Sequence, residues 1–277
     1  MELTLKLSSG CIHGYRWGDP AAPLVICVHG LSANHTAFAW LAEGLVRAGY
    51  GVLAYDCRGR GRSEITPAGS YGLSAHARDV RELADHVGAE RFHLAGWSMG
   101  AAVGMVAAGE LGARLRSLVL LDHAGPVDPQ AGELVRAGLA RLDAVVDEPE
   151  QYLKAIRTRG LIDPWTPFWE SHYRYELTQG SDGRWSPSTS RQACTEDLEG
   201  FEVDWAQVWQ ALPPALALVR TSVSLGGGLI VPPVARDGLA RTCPWVTVAE
   251  VATNHWTVMT DPAMLTATVA TLRAGAG

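Results

Sequence analysis

A serine between two glycines is the first candidate for chemistry, in the pattern G-x-S-x-G at residues 96–100. A short strand pattern at 91–95 precedes it and a run rich in alanine and glycine follows, so we expect a strand, a sharp turn and a helix. Such a turn strains the serine backbone and needs small neighbours, while the start of a helix favours negative charge. Ser98 is therefore a candidate nucleophile, and the alternative is a glycine-rich turn with an idle serine.

A histidine near the far end of the chain could serve this serine as a base. His255 lies just past the last predicted strand and before the predicted C-terminal helix. An imidazole can accept the hydroxyl proton when folding brings the two side chains together. The other histidines fit this role less well, since most lie on predicted strands or helices. His35 lies near the loop that follows an early strand and could contact a substrate.

The carboxylate that would orient His255 is assigned to Asp122, which directly follows the predicted strand 118–121. Neighbouring parallel strands end at the same edge of a sheet, so an acid here can reach the far nitrogen of the histidine. The alternative is that this aspartate only caps the following turn. Glu250 and Asp261 are poorer candidates because they flank His255 on its own segments.

The elements that must position these residues alternate along the chain. Residues 2–8 and 11–17 predict a hairpin. Short apolar runs predict buried strands at 24–28, 51–55, 91–95, 118–121, 214–219 and 245–248. Helical spacing appears at 36–48, 73–88, from 98 onward, 232–241 and 261–273. Strands alternating with helices predict an α/β fold with a mostly parallel sheet covered on both faces.

This alternation stops after Gly125 and resumes near Leu212. The segment between them shows no buried strand pattern, but it has helical patterns at 131–146 and 149–158 and many aromatic residues. We therefore expect a core of residues 1–124 and 213–277 and a helical cap, or lid, over one end of the sheet at 125–212. Candidate substrate contacts are two tryptophans beside the candidate catalytic residues, two in the cap and one histidine: Trp97, Trp256, Trp165, Trp169 and His35.

Four segments together resemble the α/β-hydrolase superfamily: 28–31 (VHGL), 56–63 (D-x-R-G-x-G-x-S), 96–100 and 254–256 (NHW). They span both ends of the chain and leave the cap unmatched. The resemblance implies the order Ser98, acid, His255 along the chain. It also implies an oxyanion hole built from the backbone N–H groups of Leu31 and Met99, and a loop-shaping role for 56–63.

The position of the acid differs from the arrangement common in that superfamily. There the acid usually follows the strand that here ends at Val219, yet residues 221–236 contain no Asp or Glu, and Asp237 already lies in a predicted helix. An acid at Asp122 resembles zearalenone-type lactonases and one group of haloalkane dehalogenases. Those dehalogenases, like the related epoxide hydrolases, use an aspartate nucleophile, so Ser98 argues against both activities.

The amino-acid composition and net charge argue against several classes of binding partner and metal site. Hydrophobic residues make up 47% of the chain and charged residues 19%, which is ordinary for a folded enzyme. The net charge of −6 argues against nucleic acid or an anionic membrane as a partner. The five cysteines are widely spaced and form no C-x-x-C pair, so neither a disulfide framework nor a zinc site is expected.

The sequence predicts a soluble, cytoplasmic protein. The first ten residues alternate like an edge strand and lack the apolar stretch of a signal peptide. No apolar run reaches about 18 residues, so no membrane span is expected.

The predicted function is hydrolysis of a carboxylic ester, lactone or thioester of an apolar small molecule through an acyl-enzyme, with no metal and no organic cofactor. The same residues could support C–C bond hydrolysis, perhydrolysis or lyase chemistry. A non-hydrolytic binding protein that keeps the fold is the alternative from a different class, because fold alone does not determine function.

Overall fold

Ten strands form two sheets in this computed structural model, which describes residues 1–276. In chain order the strands are β1 (Glu2–Leu7), β2 (Gly10–Trp17), β3 (Leu24–Val28), β4 (Gly51–Tyr55), β5 (Phe92–Trp97), β6 (Leu115–Leu121), β7 (Leu177–Gln179), β8 (Trp185–Pro187), β9 (Leu216–Thr221) and β10 (Thr247–Val251). The main sheet has the order β1-β2-β4-β3-β5-β6-β9-β10. Six neighbouring strands of this sheet run parallel to one another: β4, β3, β5, β6, β9 and β10. At one edge β1 pairs antiparallel with β2, and β2 pairs antiparallel with β4. This arrangement confirms the predicted α/β class.

Helices connect the parallel strands, and the last helix follows the final strand. They are α1 (Ala39–Arg47), α2 (Leu73–His86), α3 (Met99–Leu111), α4 (Pro129–Gly138), α5 (Pro149–Thr158), α6 (Pro167–Tyr175), α7 (Arg191–Glu199), α8 (Trp205–Trp209), α9 (Pro233–Thr242) and α10 (Pro262–Ala274). None of them, across residues 1–276, combines the length and the apolar character needed to cross a bilayer.

The central strands are buried on both faces because helices cover both sides of the sheet. On β3, Leu24, Ile26 and Val28 belong to the core that contains α2 and α3, whereas Val25 and Cys27 belong to the core that contains α1 and α10. Side chains alternate across a strand, so a continuous apolar run supplies both cores. This explains why the run at 24–28 predicts the strand without error at either end.

The segment between β6 and β9 contains α4 to α8 and a short antiparallel hairpin, β7–β8, that forms its own sheet. The hairpin is not predicted from the sequence, because its three-residue strands are too short to show a period. The helix predicted at 131–146 ends at Gly138 and continues as a 3-10 helix, Leu139–Asp143.

The last strand lies two residues later than predicted. Trp245 stands outside it, and its indole N–H donates a hydrogen bond of 3.0 Å to the carbonyl oxygen of Pro213. β10 therefore begins at Thr247, in register with Ala217 of β9.

Candidate active site

The carboxyl ends of four parallel strands bring the candidate residues to one edge of the sheet. Gly96 of β5 pairs with Val28 of β3, and the next residue of β5 pairs with Leu121 of β6. The residues that follow β5 and β6, Ser98 and Asp122, are therefore neighbours in space. Ligands bind at this edge in open parallel sheets.

Steric crowding explains the glycines on either side of Ser98. The serine has φ 55° and ψ −119°, a conformation that L residues rarely adopt. A Cβ atom on Gly100 would lie 1.8 Å from the carbonyl oxygen of Val28, and one on Gly96 would lie 2.2 Å from the carbonyl oxygen of Gly100. Only glycine fits at either position, as the sequence pattern predicts. Ser98 is half-buried, so its hydroxyl can reach a bound molecule.

Hydrogen bonds connect Ser98, His255 and Asp122 in one chain. The distance from His255 Nε2 to Ser98 Oγ is 3.0 Å, and from His255 Nδ1 to Asp122 Oδ2 it is 2.8 Å. With the Nδ1–H donated to the carboxylate, Nε2 carries the lone pair and can accept the serine proton. The structure thus brings together the three residues that were assigned to one chemistry from the sequence.

Asp122 is held by contacts that the sequence does not reveal. Its carboxylate is fully buried and accepts two further hydrogen bonds of 2.9 Å, from the backbone N–H and the hydroxyl of Thr221 at the end of β9. Within residues 1–276, Asp122 and Ser98 are the only non-glycine residues with a positive φ. Backbone strain at both points is maintained by the surrounding sheet and directs both side chains to His255.

Trp97 fixes the loop that carries His255. Its indole N–H donates a hydrogen bond of 3.0 Å to the carbonyl oxygen of His255, and the two rings lie 5.4 Å apart. The ring of Trp256 packs edge-on against the same imidazole at 5.7 Å. These contacts restrict the imidazole to the orientation that its hydrogen bonds require.

The loop after β3 passes directly beside Ser98. A Cβ atom on Gly30 would lie 3.3 Å from Ser98 Cβ, so the loop is already in close contact with the serine. The next residue, Leu31, lines the cavity. Met99 begins α3, and the first N–H groups of a helix have no acceptor within it. Leu31 therefore lines the same cavity as Ser98, and Met99 directly follows Ser98, so the two residues predicted to form the oxyanion hole both lie beside the serine.

A buried ion pair lies beneath this loop. Arg60, fully buried, donates from Nε to the carbonyl oxygen of Leu31 at 2.9 Å and from Nη2 to Asp197 at 2.5 Å. Asp197, on α7, also contacts His76 Nε2 at 3.0 Å and accepts a hydrogen bond from the backbone N–H of Gly72. Burial alone would raise the pKa of Asp197, but the contacts with His76 and Arg60 outweigh it and hold the pKa well below its usual range.

Replacing Asp197 by asparagine is expected to lower the free energy of unfolding by about 3–5 kcal/mol, because Arg60 then stays buried without its negative partner. Urea denaturation of both proteins measures the difference. The control is Asp182→Asn, which removes an exposed ion pair with Arg184 in the same segment and should leave the midpoint unchanged. Equal midpoints for the two variants would contradict the prediction.

The effect of Asp197→Asn should also depend on pH. Because the pKa of Asp197 is lowered in the folded state, its carboxylate stabilises the fold fully above the ordinary pKa of 3.8 and loses this contribution as the pH falls below that value. The stability difference between the parent and the variant is therefore expected to be constant near pH 7 and to shrink below about pH 4. A difference that grows on acidification would show that the carboxylate is not stabilised by the pair.

Two buried histidines near the site are uncharged at neutral pH. Burial lowers the pKa of His29 to about 4, and its ring bonds to the carbonyl oxygen of Gly30 and the backbone N–H of Cys57. Burial, with the nearby charge of Arg141, lowers the pKa of His172 to about 3. His29 thus has a structural role, while His172 contributes a neutral ring to the cavity wall.

A cavity of about 80 Å³ opens above Ser98. Its floor includes Ser98, His255 and Trp97, and its opposite wall is formed by the segment between β6 and β9. The wall residues from that segment are Leu134, Val135, Gly138, Arg141, Ile156, Arg159, Leu161, Ile162, His172 and Tyr173. Of the five predicted substrate contacts, Trp97 and Trp256 line this cavity.

The other predicted contacts lie elsewhere. Trp169 is buried among Phe168, His172 and Tyr173, and Trp165 stacks on Tyr173 with ring centroids 5.8 Å apart. Both tryptophans therefore contact residues of the cavity wall but do not themselves line the cavity. An aromatic residue in a helical segment can pack against neighbouring helices or line the cavity. Its position in the sequence does not show which of these two environments it faces.

His35 belongs to a separate cluster of polar residues. Its backbone N–H and its Nδ1 bond to Asp56 Oδ1 at 2.8 and 2.9 Å, and Tyr175 donates to the other carboxylate oxygen at 2.7 Å. Burial would raise the pKa of Asp56, but the bonds from His35 and Arg62 lower it to about 2. His13, His35 and Asp56 place ligand-type atoms within 4.8 Å of one another, although both oxygens of the carboxylate already accept hydrogen bonds.

Sequence reasoning did not identify four polar residues that shape the site: Thr221, Arg60, Arg141 and Arg159. Thr221 lies just past a predicted strand, and Arg60 lies within the motif at 56–63, so a sequence signal was present near both residues. Arg141 lies within the helical pattern at 131–146 and Arg159 directly follows the one at 149–158, and neither carries a signal that distinguishes it from a surface arginine.

Comparison with known proteins gives matches along most of the chain. A family model described as the alpha/beta hydrolase fold matches residues 23–262. The chain is 34% identical to 3-hydroxybutyrate-oligomer hydrolase of Cupriavidus necator over 146 residues, 51% of this chain and 50% of that protein. It is 32% identical to N-formylmaleamate deformylase of Pseudomonas putida over 139 residues, 50% of this chain and 49% of that protein.

Among solved structures, that of E-2-(acetamidomethylene)succinate hydrolase matches with a TM-score of 0.84 at 21% identity and covers 99% of both chains. At this identity the likeness concerns the fold, and it includes the segment between β6 and β9. The chain spans about half the length of the curated relatives it matches.

Proposed function

The chain belongs to the α/β-hydrolase family, and from this premise we propose that it is a serine hydrolase that cleaves a carboxylic ester, lactone or thioester of a small molecule. The observation that carries the proposal is the hydrogen-bonded chain from Ser98 Oγ through His255 to the buried Asp122, at the floor of a cavity. Relatives named as a hydrolase and a deformylase lend support at the level of reaction class.

In the first half of the proposed reaction, His255 Nε2 takes the proton of Ser98 as Oγ attacks the carbonyl carbon of the substrate. The carbonyl oxygen becomes an oxyanion, which the backbone N–H groups of Leu31 and Met99 stabilise. Asp122 stabilises the imidazolium that forms. The tetrahedral intermediate then collapses, the imidazolium gives its proton to the departing alcohol or thiol, and the acyl group remains on Ser98.

In the second half, His255 takes a proton from water, whose oxygen attacks the acyl carbon. The second tetrahedral intermediate releases the carboxylic acid and returns the proton to Ser98 Oγ. Every proton in this cycle is carried by groups of the chain or by water, so the proposed reaction requires no metal and no organic cofactor.

The segment 125–212 acts in this proposal as a lid on a core of residues 1–124 and 213–277. It supplies the apolar wall opposite Ser98, with Leu134, Val135 and Ile156 among its members, and such a wall favours an apolar part of the substrate next to the reacting carbonyl. A cytoplasmic location belongs to the same proposal, supported by five cysteines that are all free.

Labelling with a fluorophosphonate probe tests the proposal. We expect the intact mass to rise by one adduct, and peptide mapping to locate it at Ser98, because the probe reacts with a serine that a neighbouring base activates. A protein that binds small esters but gains no adduct and hydrolyses nothing would overturn the proposal in favour of a binding protein.

A substrate panel separates the classes of bond. p-Nitrophenyl esters, a thioester and a lactone are expected to be hydrolysed, while a hydroxynitrile and a meta-cleavage dienoate serve as controls for lyase and C–C bond chemistry. Turnover of either control in preference to every ester would replace the ester assignment with that chemistry.

A further inference from the structure

Two arginines, Arg141 and Arg159, line the cavity above Ser98, and no Asp or Glu from residues 1–276 lines it with them. This distribution differs from the chain as a whole, which carries a net charge of −6. A site with positive charge in an acidic protein attracts anions against the general field of the molecule. The two arginines differ in whether residues of the protein already compensate their positive charge.

The charge of Arg141 is already compensated inside the protein. Its guanidinium bonds to the buried carboxylate of Glu176 and to the hydroxyl of Tyr152. Its other terminal nitrogen donates to the carbonyl oxygen and the hydroxyl of Ser32, at 2.8 and 3.0 Å. These contacts join the wall of the cavity to the loop after Leu31, and they leave Arg141 without a free positive charge.

Arg159 has no such compensation. It directly follows α5 and is exposed, and its guanidinium makes no hydrogen bond or ion pair with any residue in the described part of the chain. One terminal nitrogen lies 4.0 Å from the point that a Cβ atom on Gly138 would occupy, at another residue of the cavity wall. The arginine thus lies along the opening of the cavity.

The remaining titratable side chains of the wall are neutral near pH 7. Burial lowers the pKa of His172 to about 3, and burial raises the pKa of Tyr173 to about 12. Val135 and Ile156 add apolar surface to the same wall. The wall therefore presents an apolar stretch and one uncompensated cation, Arg159.

We propose that the substrate carries a carboxylate, and that Arg159 binds it while the reacting carbonyl lies at Ser98. This inference rests on the proposed function and adds the substrate class: a short ester whose acyl chain ends in a carboxylate, with its apolar part against the wall. A guanidinium pairs with a carboxylate through two parallel N–H donors, which a lysine ammonium cannot reproduce. Arg159 is a specificity residue and takes no part in the chemistry at the carbonyl.

Matched esters test the proposal on the full chain. The anionic series is monoethyl succinate, glutarate and adipate, and the neutral series is ethyl butyrate, pentanoate and hexanoate, so each pair differs only by the terminal carboxylate. The measured quantity is the ratio of kcat/KM for the anionic ester to that for its neutral partner. For the parent this ratio is expected to exceed one for at least one chain length.

Arg159→Gln is expected to lower that ratio by about 10- to 100-fold, the effect of one lost charge-assisted pair. Arg159→Lys should restore part of it. The matched control is Arg157→Gln, which removes an equal charge two residues earlier on α5 at an exposed position outside the cavity wall and should keep the ratio of the parent.

The outcomes separate this inference from the proposed function. Hydrolysis of neutral esters with no preference for the anionic partner, or an equal fall of the ratio in Arg157→Gln and Arg159→Gln, would overturn the carboxylate assignment and leave the serine hydrolase in place. A parent that hydrolyses neither series and gains no fluorophosphonate adduct would remove both.

Discussion

Ser98→Ala is expected to lower kcat for a p-nitrophenyl ester by about a million-fold and to abolish labelling by a fluorophosphonate. The change removes Ser98 Oγ, which lies 3.0 Å from His255 Nε2, so no acyl-enzyme can form. In the proposed mechanism, the residual rate is expected to come from the backbone amides of Leu31 and Met99, which would still polarise a bound carbonyl. Stopped-flow kinetics on the parent and long incubation of the variant measure the two rates.

A matched control separates loss of the nucleophile from loss of the fold. Ser74→Ala makes the same chemical change at an exposed position on α2 and should keep the kcat of the parent. Far-ultraviolet circular dichroism should be identical for the two variants and the parent. A Ser98→Ala protein that retained even one hundredth of the parent kcat would exclude Ser98 as the nucleophile.

The second large effect is expected for Asp122→Asn, which should lower kcat by about ten thousand-fold with little change in KM. The amide can donate to His255 Nδ1, which places the ring proton on Nε2, where it faces Ser98 and blocks proton transfer. The hydrogen bond from Thr221 to the remaining side-chain oxygen keeps the loop in place, so the loss concerns the tautomer of the histidine. Steady-state kinetics between pH 6 and 9 measure it.

The alternative acids provide the controls. Asp237 pairs with Arg236 at the surface, and Glu250 pairs with Arg220 and Arg236, so neither faces His255. Asp237→Asn and Glu250→Gln should keep kcat within a small factor of the parent. If Asp122→Asn lost less than tenfold while one of these lost most of its activity, the acid would have to be reassigned.

The sequence alone was sufficient for the fold and for the three residues of the hydrogen-bonded chain. The fold follows from local periodicity: short apolar runs such as 24–28, alternating with helical patterns, favour strands covered on both faces. The turn at Ser98 depends on glycines whose places no larger residue can take. Asp122 could be assigned because residues that follow neighbouring parallel strands must meet at one edge, whatever fills the rest of the protein.

The surroundings of those residues were decided by the tertiary structure. Arg60 meets Asp197, and Arg141 meets Glu176 and Ser32, across separations of 137, 35 and 109 residues, and no local pattern records such pairs. The same holds for Trp165 and Trp169, which the aromatic content predicts as substrate contacts and which pack against Tyr173 of the cavity wall without lining the cavity.

One physical difference explains why some features of the site could be predicted from the sequence and others could not. Backbone conformation and strand burial depend on a residue and its near neighbours, so they leave a period or a glycine in the sequence. The packing of distant segments determines which residue pairs with a buried charge and which face of a helix lines a cavity. Arginines in or beside helical patterns therefore cannot be distinguished from one another until that packing is known. The sequence of this protein therefore predicts that Ser98, His255 and Asp122 meet, whereas the lack of a partner for Arg159 among residues 1–276 follows from the packing of distant segments.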